Sequence, residues 1–439
     1  MVRADCHAVR VGQNVPVSES GGRRPKVDLA HRLRPMSGRD PHEPHRAATP
    51  LELLFDLTFV IAFGVAASQF AHMLATGHVG GGLAGFSFAT FAVSWAWINF
   101  SWFASAYDTD DWVYRVTTML QMVGVLVLAL GIPQVFASIA DGAHVDSRAL
   151  VAGYVVMRIA MVIQWLRAAR QDPDRRAACL TYAVTITVAQ LGWVAIAIVN
   201  TSLGITFALF AVMIGLEVTG PLLAEKRMGG TPWHAHHIAE RNGLLTIIAL
   251  GEGVVGTVAS LSAVVAEQGW STDAVLVAVA GTGLTFGMWW VYFVMPAADL
   301  LHAHRDRSFG YGYLHIAVFG SIVATGAGLH AAADSIEHRS ALSSVATVLA
   351  VAVPVGAYVG AVFGTYLLLT HAWDGFYGSV VLMALAVLGG AVALAAAGVS
   401  TPLCLLVVTA APAAAVCGFE LSGHRRTAET LAEELDRRP

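Results

Sequence analysis

The chain has 439 residues, of which 56% are hydrophobic and 13% charged, about half the charged share of a soluble domain. Charge crowds into the two ends, and the middle carries apolar runs of about 20 residues, long enough to span a bilayer. A soluble enzyme, a nucleic-acid binder and a disordered hub are thereby excluded, and the expected fold class is an all-α polytopic integral membrane protein with the lipid bilayer as its surroundings. The net charge of −4 decides little, because placement matters more than the sum. Cys6, Cys179, Cys404 and Cys417 are scattered, without the paired spacing of a disulfide framework or a zinc ribbon.

Residues 1–49 are basic, rich in Pro, Gly, Ser and His, and hold no continuous apolar run of the kind that a cleavable signal needs. They are expected to be disordered and cytoplasmic, with the first spanning helix itself acting as the targeting signal. Twelve helices are expected near 50–74, 81–106, 112–138, 147–170, 177–200, 203–223, 241–262, 272–296, 309–333, 342–370, 376–398 and 400–420. The fifth and sixth are divided by a tight turn over Asn200–Ser202. The chain then divides into a six-helix half at 50–225, a second at 226–420 and a cytoplasmic tail at 421–439.

Positive charge orients these helices. Of the 26 Lys and Arg residues, 23 fall on the side of the N-terminus, only Arg148 and Arg339 fall opposite, and Arg158 lies inside a helix. Both termini are therefore expected in the cytoplasm, with the chain in the cell (inner) membrane. An impermeant thiol reagent applied to intact cells should label His78→Cys and spare Asp110→Cys. Labelling of Asp110→Cys from outside would contradict this orientation.

The halves also echo one another. Glu52, Leu57 and Thr58 fall in register with Glu240, Leu245 and Thr246. Trp95 and Trp97 in the second helix match Trp289 and Trp290 in the eighth. Tyr114 and Gly124 match Tyr311 and Gly320, one residue closer. Six helices per half predicts a 6+6 repeat in parallel orientation, an arrangement found among transporters.

Several motifs are family-specific in combination. They are Leu51-Glu52-Leu53-Leu54-Phe55-Asp56-Leu57, Tyr107-Asp108-Thr109-Asp110-Asp111, Ile132-Pro133 and Tyr154-Val155-Val156-Met157-Arg158. Sharper still is His237-Ile238-Ala239-Glu240-Arg241, continuing through Ile247-Ile248-Ala249-Leu250-Gly251-Glu252. With Trp289-Trp290-Val291-Tyr292-Phe293 and the segment from Tyr313 to His315, they run from about residue 50 to 420. The chain resembles the bacterial low-temperature-requirement A (LtrA) family of membrane proteins. It departs at Val294, where the family usually has an acidic residue. The resemblance implies membrane placement; the family's name records a growth requirement and leaves substrate and mechanism open.

Charges inside the helices are the candidate functional residues, because each is costly in hydrocarbon. Arg158 and Glu252 fall near mid-membrane at about 1.5 Å per residue, and their opposite signs predict a pair. At the cytoplasmic mouth, Glu52 and Asp56 share one helix face by their i, i+4 spacing. His237, Glu240 and Arg241 share another. Asp108, Asp110, Asp111 and Arg115 come from the loop between the second and third helices, and Glu217 stands near the same side. This cluster is expected to lie close to water, so that neutralising one member costs little stability. It suits the admission of a polar solute or cation. His234, His236, His237 and Glu240 have ligand-compatible helical spacing, yet solvated histidines at an interface are the commoner case, and no metal or cofactor is expected. Glu52 and Glu240 also suit helix N-termini, where the dipole favours negative charge.

Gly356, Gly360 and Gly364 form a small-residue stripe suited to close helix contact, and the tryptophan pairs suit packing or interfacial belts. No phosphate loop, dinucleotide fingerprint, nucleophile elbow or HExxH motif is present, so ATP hydrolysis on this chain is excluded as a driving force. The expected function is a secondary transporter or permease for a small solute or ion, using Arg158, Glu252, Glu52, Asp56, Asp108, Asp110, His237, Glu240 and Arg241. The alternative is a membrane-embedded enzyme that uses the His/Asp/Glu cluster on a hydrophobic substrate.

Overall fold

The computed structural model describes residues 33–41, 43, 46–142, 144–199, 201–370, 375–423 and 425. The expected disordered segment 1–49 and the tail 421–439 lie largely outside the described residues, as does Asn200. Among the described residues the protein is helical, with 12 helices long and apolar enough to cross a membrane.

The first six are α1 (Pro50–Ala75), α2 (Val79–Tyr107), α3 (Trp112–Asp141), α4 (Arg148–Gln171), α5 (Arg176–Ile198) and α6 (Leu203–Arg227). The seventh is interrupted at Leu250 into α7 (Ala235–Ala249) and α8 (Gly251–Gln268). The eighth is α9 (Thr272–Phe293), continued by the short α10 (Ala297–Ala303). The last four are α11 (Ser308–Ile336), α12 (Ser344–Thr370), α13 (Gly375–Ala396) and α14 (Thr401–Gly418). Spans must be helical here because hydrocarbon offers no partners to a free backbone N–H or C=O.

Their ends follow local chemistry. Thr49 caps α1 with its hydroxyl on the Glu52 N–H, while Glu52 Oε2 accepts from the Thr49 N–H at 2.7 Å, a complete capping box. Asp111 caps α3, and Gly142 ends it at φ 78°, a left-handed position that glycine adopts without strain. The seventh span starts six residues earlier than its expected start at Arg241, because the charged and polar residues of its first turns are buried against other side chains.

Most consecutive spans pack as neighbours, the sixth with the seventh and the eighth with the ninth excepted, and α1 also packs on α3 just as α8 packs on α11. The two halves meet through α1 and α2 against α7 and α11. Loops gather at both ends. Arg46 donates to Ala104 O at 2.5 Å, Arg175 to Gly229 O at 2.6 Å and Arg305 to Trp233 O at 2.6 Å, all on the side where α1 begins, here the N-side. On the far side, Ala341 N donates to Ala75 O at 2.7 Å.

Glycine permits close crossings, but not where the stripe on α12 predicts them. A Cβ on Gly360 or Gly364 would meet nothing within 4 Å, and one on Gly356 only leucine side chains. Backbone-to-backbone approach occurs instead at Gly131 and Gly153 between α3 and α4, and at Gly328 between α11 and α12. Small residues at fixed spacing identify a helix face without saying which neighbour it meets.

A buried ionic core between the halves

Side chains from α1, α2 and α7 build the central site. Glu52 and Asp56, one turn apart, both face Arg241 of α7. Arg241 Nη1 lies 2.8 Å from Glu52 Oε1, and Arg241 Nη2 donates to Asp56 Oδ1 at 2.5 Å. His237, one turn before Arg241, brings Nε2 to 3.1 Å from Glu52 Oε1. Trp97 of α2 donates its indole N–H to Asp56 Oδ1 at 2.6 Å. The Arg241 guanidinium lies 5.5 Å from the centre of the Trp97 ring and 5.9 Å from that of Phe100, within the range of cation–π attraction.

The expectation that these residues sit near water is overturned. Glu52, Asp56, His237 and Arg241 are each 0% exposed. The i, i+4 spacings correctly place the two carboxylates on one face and His237 with Arg241 on another. Spacing alone does not show that the two faces meet. Once they meet, each carboxylate is desolvated and its charge is answered by Arg241 rather than by solvent.

Glu240 is not part of this core. It is exposed, accepts from Ala48 N at 3.3 Å, and lines a cavity of about 600 Å³ with Arg46 and His236. It also lies past the first turn of α7, so the helix-terminus reading holds for Glu52 and not for Glu240.

The loop carboxylates take separate roles. Asp110 makes a two-pronged pair with Arg115 at 2.8 Å, half-exposed and so of little consequence for stability. Asp111 accepts from Tyr114 N at 2.9 Å and pairs with Arg167. Those donors hold its carboxyl low, at about 2, against the opposing effect of burial. Asp108 is buried, accepts from Asp110 N at 2.8 Å, and has Arg46 at 3.8 Å. Burial and the neighbouring Glu52 push Asp108 up to about 6, while Arg46 and Arg39 oppose the rise.

A raised carboxyl means that folding favours the protonated form. Its contribution is present below the ordinary aspartate value of about 4 and is lost as pH rises through about 6. Asp108→Asn should therefore flatten the fall in melting temperature between pH 4 and 6 and leave the protein at least as stable at pH 7. Melting curves of the detergent-solubilised variant would show it; an unchanged slope would refute it.

The expected pair of Arg158 with Glu252 does not form. Arg158 of α4 meets Glu217 of α6 at 3.2 Å. Glu217 also accepts from Trp95 at 2.7 Å, Tyr154 at 3.0 Å and Trp193 at 3.2 Å. Glu217 thus belongs to an ion pair inside the first half and not to the N-side mouth. Glu252 lies instead where α1, α8 and α11 converge, in the first turn of α8 after the break at Leu250. A Cβ on Gly64 would lie 2.8 Å from Glu252 Oε1, and one on Gly326 2.8 Å from the Glu252 carbonyl oxygen. Among the described residues Glu252 makes no hydrogen bond or ion pair. Depth along a helix is readable from sequence, whereas the direction in which a residue points is not.

A third carboxylate lies outside the candidates that the sequence offers. Glu225 near the end of α6 accepts from Trp102 at 3.0 Å, Tyr182 at 3.0 Å and the Thr231 hydroxyl at 2.6 Å. Trp95, Trp97 and Trp102, all on α2, each donate to a different carboxylate, of which Glu217 and Asp56 are buried and Glu225 is half-buried. The expectation of packing alone is too plain for this pair of tryptophans, whereas Trp289 and Trp290 are exposed on α9 as a belt would be. The seven-residue spacing of Trp95 and Trp102, one helix face, was the available signal.

The three histidines do not converge. His234 caps α7 and bonds Glu43 O at 2.6 Å, His236 faces Asp299 at 3.5 Å, and His237 faces Glu52. Among the described residues no trio of His, Cys, Asp or Glu forms a metal-holding group.

The fold and core together define a polytopic helical membrane protein whose halves are joined by buried ion pairs. The chain belongs to the bacterial low temperature requirement A protein (LtrA) family, whose model matches residues 47–412. It is 25% identical over 292 residues to an uncharacterized protein of Rhizobium meliloti (strain 1021), RA0937, covering 63% of this chain and 67% of that one. No solved structure matches.

Proposed function

We propose that the protein is a secondary transporter for a small solute or ion, placed in the cell membrane with both termini cytoplasmic, and that Glu252 is its coupling residue. The observation that carries this reading is a carboxylate with no partner among the described residues, in the middle of a span, at a helix break, between the glycine surfaces of α1 and α11. A bare charge at that depth is expensive, so a proton or cation has to accompany it. Broken helices at the junction of repeats are where transporters bind coupling ions.

A 6+6 parallel repeat fits the same site. In the register that matches Glu52 with Glu240, Glu252 corresponds to Gly64, the residue it lies against. Counterparts that meet lie on the axis relating two halves. Cavities at both ends of the bundle add support: about 600 Å³ on the N-side beside α7 and α9, and about 720 Å³ towards the far side between α2, α11 and α12. The enzyme alternative draws no support from the histidines, which face different partners.

The test is reconstitution. Proteoliposomes incubated with a bacterial metabolite extract should accumulate at least one solute, chemically unchanged, beyond protein-free vesicles. Conversion of a solute without accumulation would replace the transporter reading with the enzyme.

A further inference from the structure

We propose that the cavity walled by Trp95, Trp97 and Trp102 binds a protonated amine, and that the transported solute is an organic ammonium ion with an apolar body. This rests on the transporter reading and names its substrate class. The cavity, about 30 Å³, lies between α2, α6, α7 and α11, with Phe309, Tyr313 and Asn242 completing its wall. Aromatic rings attract cations over their faces, and the three indoles spend their N–H groups elsewhere, on Asp56, Glu217 and Glu225.

Charge sets the sign of the ligand. Arg241 answers Asp56 and Arg158 answers Glu217. Glu225 is held by Trp102, Tyr182 and Thr231, none of them charged, and no cation lies at ion-pair distance among the described residues. Arg305 feels its field but lies over the Trp233 ring, 4.1 Å from the centre. Glu52, which shares Arg241 with Asp56, adds a further negative charge. The surroundings therefore carry an excess of carboxylate, which favours a cation and opposes an anion.

Two unpartnered atoms select the kind of cation. Asn242 Oδ1 and Ser101 Oγ belong to residues more than nine-tenths buried, both line the cavity, and neither atom has a hydrogen-bond partner among the described residues. Asn242 donates its amide N–H to Ile238 O at 2.8 Å, which fixes the amide and leaves the oxygen as an open acceptor. Buried acceptors without donors are costly. An ammonium N–H satisfies them, whereas a quaternary ammonium has no N–H to give. Tyr313 stands in the wall of both this cavity and the apolar 720 Å³ one, so an amine head placed here leaves room for an apolar body beyond.

The probe is 2-phenylethylamine at neutral pH, titrated into purified protein and read by indole fluorescence and calorimetry. Controls are 2-phenylethanol, neutral and of similar shape, and the anion 3-phenylpropanoate. The amine should saturate one site and bind at least about tenfold tighter than the alcohol, with no binding of the anion. Asn242→Ala should weaken the amine by about tenfold, as expected for a lost hydrogen bond to a charged group. Ser101→Ala is the second variant, and unliganded melting temperature certifies that each is folded. Equal binding of amine and alcohol would overturn the proposal, as would wild-type affinity in every variant that folds. Amine binding without movement across vesicles removes the transporter reading and keeps the site. Accumulation of other solutes by protein that ignores the amine does the reverse.

Discussion

Replacing Arg241 by leucine is expected to abolish most folded protein. Among the described residues Arg241 is the only guanidinium that touches Glu52 and Asp56, and all three are fully buried. Its loss leaves two uncompensated carboxylates one turn apart, with His237 as the remaining neighbour of Glu52. Breaking a buried pair costs about 3–5 kcal/mol, a large fraction of the roughly 5–15 kcal/mol that holds a typical protein folded. Adding Glu52→Gln and Asp56→Asn to Arg241→Leu removes the stranded charges and should restore much of the detergent-stable yield. If the triple variant is as poor as the single, the guanidinium matters through packing against Trp97 and Phe100 and not through charge.

Arg158→Leu should be nearly as damaging, and its rescue identifies its partner. Glu217 then loses its one charged partner and keeps only three neutral donors, Trp95, Tyr154 and Trp193, among the described residues, around a buried carboxylate. The single change is expected to cost about 3–5 kcal/mol. Adding Glu217→Gln keeps an acceptor for those donors while removing the charge, and should recover a substantial part of the loss. Arg158→Leu combined with Glu252→Leu should instead be additive within about 0.5 kcal/mol, as for residues that share no contact. Rescue by Glu252→Leu and not by Glu217→Gln would reverse the assignment.

Much of the architecture was legible because hydropathy reports on the membrane directly. Twelve spans, their approximate limits and the mid-span positions of Arg158 and Glu252 all follow from counting along the chain. The seventh span starts ahead of residue 241 because the polar residues of its first turns meet partners on α1, which hydropathy along the chain does not register. The same limit governs the site. Spacing grouped Glu52 with Asp56 and His237 with Arg241, since helical periodicity is local. Which group faces which, whether water reaches them, and which carboxylate Arg158 meets depend on helix rotation and packing, to which one-dimensional spacing is blind. Glu225 does not stand out in the sequence because carboxylates are ordinary near a charged helix end, although the tryptophans of α2 point to that face.

The most direct measurement compares wild type with Glu252→Gln in proteoliposomes under an imposed pH gradient, following accumulation of metabolite-extract solutes by mass spectrometry. Glutamine keeps the size of the side chain and removes its exchangeable charge, and Glu252 has no partner among the described residues to strand, so the variant should melt at the wild-type temperature. The account predicts gradient-dependent accumulation by wild type and none above protein-free vesicles by Glu252→Gln. Accumulation by folded Glu252→Gln that matches wild type in extent and in its response to the gradient would contradict it.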